Sequence, residues 1–153
     1  MAKVKQKARQ AISGKAVFRS PSELRDILDA VLSALDQDPD ACSRLGAAAA
    51  PLRLEFPDLK LSLNVFAGER GGLVWDFARR PSIPPKLRLS MDSEFANRLL
   101  QGRESPAIAM VRGRLETKAE DAAAALRFFG SVKLVVSGYR DVIAKKYPHL
   151  VLD

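Results

Sequence analysis

At 153 residues, 47% apolar and 28% charged, the chain is long enough for one domain with a buried core and too apolar to be wholly disordered. No apolar run approaches the ~18 residues of a membrane helix, and one cysteine (Cys42) with one histidine (His149) leaves no internal disulfide and little basis for a zinc site or a Ser-His-Asp triad. The net charge of +7 is concentrated: residues 1–19 hold Lys3, Lys5, Lys7, Arg9, Lys15 and Arg19 with no acid, while the rest carries 19 basic and 18 acidic residues.

This charge pattern predicts a mobile basic tail over 1–19 and a folded domain over 20–153. Lys3, Lys5, Lys7 and Arg9 suit an anionic membrane surface, or alternatively remain solvated. A nucleic-acid role is not expected, because the folded body lacks a basic excess. No secretory signal is expected at the N-terminus, so the chain reads as cytoplasmic, with peripheral membrane contact through the tail.

Ser20-Pro21-Ser22-Glu23 reads as a helix start, with Ser20 capping the Glu23 amide and Glu23 reaching back to the Ser20 amide. Leu24, Ile27, Leu28, Val31, Leu32 and Leu35 then form one apolar stripe. Asp38 and Pro39 open a second, shorter helix over Cys42 and Leu45, which Gly46 is expected to stop.

The period then changes to two. Leu52-Leu54-Phe56, Leu59 to Val65, Leu73-Trp75-Phe77 and Leu87-Leu89-Met91 each alternate with polar or small residues, predicting four strands with one apolar face. Helical spacing returns at Phe95, Ala96, Leu99 and Leu100, capped by Asp92 or Ser93 and ended by Gly102. Ser105-Pro106 opens a short helix with Ile108, Ala109 and Val111 inward and Met110 as a further candidate. Gly102 and Gly113 are expected at positive φ. Arg114–Lys118 is a fifth strand. A last helical stretch runs from Asp121 past Phe129, Val132, Val136, Tyr139 and Ile143 to Pro148, with Gly130 and Gly138 as points where it could divide. The predicted class is α+β: a five-stranded, mostly antiparallel sheet with helices covering one face. Whether the core between them is solid or hollow is not decided by pattern.

The stretch Met91 to Lys118 resembles the sterol carrier protein-2 family. It reads Met91-Asp92-Ser93-Glu94-Phe95, Leu99-Leu100-Gln101-Gly102-Arg103, Pro106-Ala107-Ile108-Ala109 and Gly113-Arg114-Leu115. The family's glycine after the second Gly-Arg-Leu has no counterpart near Ala119 or Glu120. The final Val151-Leu152-Asp153 is not a peroxisomal tripeptide, so no peroxisomal address is expected.

The resemblance implies an apolar tunnel or cavity holding a sterol, fatty acyl or isoprenoid ligand, with no cofactor, no metal and no catalytic residue. It implies a broad-specificity lipid carrier, or alternatively an accessory factor that presents a hydrophobic intermediate, such as a polyprenyl quinone precursor, to a biosynthetic enzyme complex. On that fold the ligand-binding candidates are Trp75, Phe77, Phe95, Leu99, Ile108, Met110, Phe129, Val132 and Val136, each of which could equally be ordinary core. Arg79, Arg80, Arg103 and Arg114 read as surface charges, with headgroup pairing as the alternative. The acid pairs Asp92/Glu94 and Glu120/Asp121 read as helix caps rather than as acid–base machinery.

Overall fold

The computed structural model describes residues 16–49, 51–69, 71–119 and 122–152. Lys3, Lys5, Lys7, Arg9, Glu120 and Asp121 lie outside them. Helix α1 (Pro21–Asp36) buries the full stripe from Leu24 to Leu35. Ser20 Oγ accepts from the Glu23 amide at 3.2 Å. The Glu23 carboxylate reaches one residue further than expected, to the Arg19 amide at 3.1 Å. It also meets His149 Nε2 at 2.9 Å, joining the start of the fold to its end. Ala16 and Phe18 are buried, so the core begins ahead of Ser20.

Helix α2 (Pro39–Ala49) is capped by Asp38, whose Oδ1 accepts from the amides of Asp40 (3.1 Å) and Ala41 (3.3 Å). Gly46 does not stop it. A single helical glycine costs only about 1 kcal/mol, and the alanines that follow are the best helix formers.

The sheet contains β1 (Leu52–Phe56), β2 (Leu61–Ala67), β3 (Leu73–Asp76), β4 (Leu87–Ser90) and β5 (Glu116–Ala119), in the order β3-β2-β1-β4-β5. Three pairs are antiparallel and the central β1–β4 pair is parallel. Leu59 falls in a 3-10 turn (Pro57–Leu59), because Lys60 turns left-handed (φ 52°) before β2 begins. Phe77 lies just beyond β3, under the Arg25 guanidinium at 5.0 Å.

The inward face carries Leu52, Leu54 and Phe56 of β1 beside Leu63 and Val65 of β2 and Leu87 and Leu89 of β4. The opposite face is polar around β1 and β4, with Phe66 and Val74 paired at the β2–β3 end. Arg53 is buried there, donating to Asn64 Oδ1 (2.8 Å), Ser62 Oγ (3.0 Å) and the Arg79 carbonyl (2.6 Å), with Glu55 at 3.3 Å. Asn64 in turn donates to Asp76 (2.8 Å) and the Ala78 carbonyl (3.0 Å). This network ties down the loop that carries Arg79 and Arg80.

Helix α3 (Ser93–Leu100) has Asp92 at its cap position, but Asp92 makes no capping hydrogen bond. Asp58 takes that role from the 3-10 turn, accepting from the Ser93 amide (2.9 Å) and hydroxyl (2.5 Å). Glu94 pairs with Arg98 at 3.6 Å. Helix α4 (Pro106–Val111) is capped by Ser105. Gly102 and Gly113, past the ends of α3 and α4, have φ of 77° and 75°, as glycine stop signals require.

Helix α5 (Ala122–Lys146) is a single 25-residue helix through both Gly130 and Gly138. Packing against α1 and α2 offsets the glycine cost. Gly138 also serves that packing, since Val31 Cγ1 lies 3.4 Å from the position a Cβ would occupy.

An apolar cavity and the groove beside it

Between the inward sheet face and the helices lies a cavity of about 60 Å³. All of its lining is apolar: Leu28, Val31 and Leu32 of α1, Leu45 of α2, Leu52, Leu54 and Phe56 of β1, Leu63 and Val65 of β2, Leu89 of β4, Met91 just beyond β4, Leu99 and Leu100 of α3, and Phe128, Val132 and Val135 of α5. One water needs about 10–15 Å³ by this measure, so the space holds a few waters by volume and falls far short of an acyl chain. An apolar void of this kind stays dry, since it offers water no hydrogen-bond partner.

Outside it runs an open groove of about 570 Å³ between α3 and α5, lined by Leu99, Pro106, Phe129, Val132 and Val136 among apolar residues and by Glu104, Lys133, Arg140 and Asp141 among charged ones. Leu99 and Val132 line both spaces. These two side chains therefore stand where the interior and the groove come nearest each other.

Of the nine expected ligand residues, the structure places Leu99 and Val132 on the cavity wall and Phe129 and Val136 in the groove. Trp75 does not reach the cavity; it packs at the sheet edge against α1, its indole N–H donating to Asp29 at 2.9 Å. Phe77 is half-buried at the same edge. Phe95 is 1% exposed, in the solid core, with the Arg114 guanidinium 4.8 Å from its ring.

Ile108 and Met110 point outward, as does Val111; only Ala109 of α4 is buried. A helix of six residues touches the body along one line, and here an alanine occupies that line. Arg103 reaches the Leu152 carbonyl at 3.3 Å.

Sequence reasoning gave the α1 stripe and the alternating β1, β2 and β4 residues a core role and no ligand role. Their period marks a buried face, and nothing in a period distinguishes a wall from a filling. It also missed a buried polar cluster. Asn97 Oδ1 accepts from Tyr139 Oη (2.5 Å) and Gln101 Nε2 (2.8 Å), and Asn97 and Gln101 both donate to the Leu150 carbonyl (3.0 and 2.8 Å). Gln101 Oε1 then accepts from the Leu152 amide at 2.9 Å. Burial, and secondarily the Glu23 charge, push the Tyr139 phenol well above its ordinary range. Among the described residues, no group of three or more His, Cys, Asp or Glu side chains is placed to hold a metal, and no helix is long and apolar enough to cross a membrane.

No family model and no curated protein matches the chain. Solved structures do. A crystal structure of sterol carrier protein 2 superposes at TM-score 0.52 and 20% identity, covering 76% of this chain and 95% of that one. A Thermus thermophilus protein described as possibly a sterol carrier protein gives 0.53 and 19%, covering 74% and 83%. UbiJ-SCP2, a ubiquinone synthesis protein, gives 0.52 and 18%, covering 71% and 87%. The chain also aligns with 14% of the sec-alkylsulfatase Pisa1 from Pseudomonas, at TM-score 0.47 and 17% identity. Element order, mixed sheet and extent of coverage therefore agree on one architecture: the chain carries the sterol carrier protein 2 fold.

Proposed function

We propose that this protein is a non-enzymatic carrier that holds a sterol, fatty acyl or isoprenoid lipid between its sheet and its helices. The observation that carries this reading is the wholly apolar cavity beside an open groove, with Leu99 and Val132 lining both. In this reading the structure is the closed form. Loading a lipid moves α5 away from α3, parts Leu99 from Val132 and enlarges the cavity.

The energetics suit a carrier. Burying ~16 methylenes contributes on the order of 13 kcal/mol against water. Lost freedom on binding removes several kcal/mol of that. A lipid leaving a bilayer exchanges one oily surrounding for another, so the gross term largely cancels and loading runs in both directions without an energy source. An apolar wall discriminates weakly between chains of similar shape.

The test is native mass spectrometry of the freshly purified chain together with titration of a fluorescent fatty acid. Stoichiometric uptake, reduced when Val132 is replaced by Trp, is the expected result. No uptake across acyl, sterol and isoprenoid probes overturns the reading.

A second reading is favoured by the likeness to UbiJ-SCP2: the same cavity presents a hydrophobic intermediate, such as a polyprenyl quinone precursor, to a biosynthetic enzyme complex. Affinity capture from the native host separates the two, with co-purifying enzymes supporting presentation and a free monomer loaded with bulk lipid supporting carriage.

A further inference from the structure

Eight large apolar side chains are exposed among the described residues, and three of them, Ile108, Met110 and Val111, fall within four consecutive positions of α4. The remaining outward residue, Ala107, is also apolar. At 100° per residue these four occupy the arc opposite the buried Ala109. A surface helix ordinarily turns polar residues to water, and one that is apolar all round is ordinarily buried. Helix α4 is neither: its solvent face carries no polar side chain, and Val111 is 85% exposed.

The residues that flank α4 in sequence carry positive charge. Arg112 and Arg114 follow at once and are exposed, with Arg103 and Lys118 on the flanking segments. Of the two acids in that span, Glu104 is engaged by Arg98 at 3.0 Å, leaving Glu116. An apolar tip backed by arginines is the arrangement that inserts among acyl chains while its cations remain at the level of anionic headgroups.

We propose that the outward face of α4, with Arg112 and Arg114 behind it, docks this protein on an anionic phospholipid bilayer. The position gives the docking a use, which rests on the carrier reading. Pro106, the first residue of α4, lines the groove together with Leu99 and Val132, which also line the cavity. Insertion of α4 therefore sets the mouth of the groove against the membrane that donates or receives the lipid.

The experiment is flotation of the full chain with vesicles of phosphatidylcholine alone and of phosphatidylcholine mixed with phosphatidylglycerol. The chain is expected to float with the mixed vesicles. Val111→Asp should weaken that binding about tenfold and Arg112→Gln about fivefold, with the basic tail intact in every variant. Val111→Trp supplies a positive readout: its emission should shift to the blue on adding mixed vesicles, over the constant background of Trp75.

Undiminished flotation of V111D together with an unshifted V111W overturns the proposal. So does loss of self-association in V111D with vesicle binding unchanged, which would make the face a contact between copies. Fatty-acid uptake in vesicle-free solution reads the carrier function separately, so each idea can fail without the other.

Discussion

Tyr139 of α5 donates its hydroxyl hydrogen to Asn97 of α3 across 2.5 Å, with both side chains fully buried. Helices that otherwise meet through apolar contacts are held here by an oriented hydrogen bond. Tyr139→Phe should cost about 1 kcal/mol, because Asn97 keeps its Gln101 donor. Asn97→Ala should cost about 2–3 kcal/mol, since it leaves the buried tyrosine hydroxyl without an acceptor and removes one of the two donors to the Leu150 carbonyl. Urea unfolding of the two variants measures both.

The same phenol sets a pH dependence. An ordinary tyrosine ionises near pH ~10, and burial, with the Glu23 charge second, holds Tyr139 above that. The folded chain therefore keeps the proton that the unfolded chain releases. Stability from this source is complete below pH ~10 and declines as pH rises above it. Unfolding followed between neutral and strongly alkaline pH should show this decline in the native chain and a smaller one in Tyr139→Phe.

Arg53 is the buried charge of the polar sheet face, and its guanidinium holds Asn64, Ser62, the Arg79 carbonyl and Glu55 at once. Arg53→Met should destabilise by about 3 kcal/mol and leave those acceptors under-satisfied. Hydrogen exchange should quicken in the loop around Ala78 and Arg79 before it quickens in α1.

Cys42 is buried, with its thiol 3.0 Å from the Gly71 carbonyl. Burial first and the Asp36 carboxylate second hold it above the ordinary thiol range. Thiolate is the reactive form, so alkylation at neutral pH should be slow in the folded chain and rapid in denaturant. Equal rates in the two states would contradict the burial.

Much of this architecture was legible from spacing. The α1 stripe, the Ser20 and Asp38 caps, the period-two strands and the glycine stops at 102 and 113 are local signals, and each has a local cause in the structure. What was not legible depends on contacts between distant segments. Asp58 caps α3 from 35 residues away, and Gly130 and Gly138 are carried through α5 by its neighbours. The parallel β1–β4 pair is fixed by tertiary closure rather than by either strand's pattern. For the cavity, period identified the inward residues, yet the aromatic candidates Trp75, Phe77 and Phe95 lie at an edge or in solid core, while Leu and Val side chains with Met91, Phe56 and Phe128 line the space. Which inward side chain borders a void depends on what faces it from another element, and spacing along one element does not carry that.

The hydrogen bonds that join Asn97 and Gln101 to the backbone of Leu150 and Leu152 make this segment a latch on α3. Without it, α3 holds two buried amide side chains short of partners. Deleting residues 150–152 should therefore yield a loosened, chaperone-dependent species rather than a slightly smaller version of the same domain.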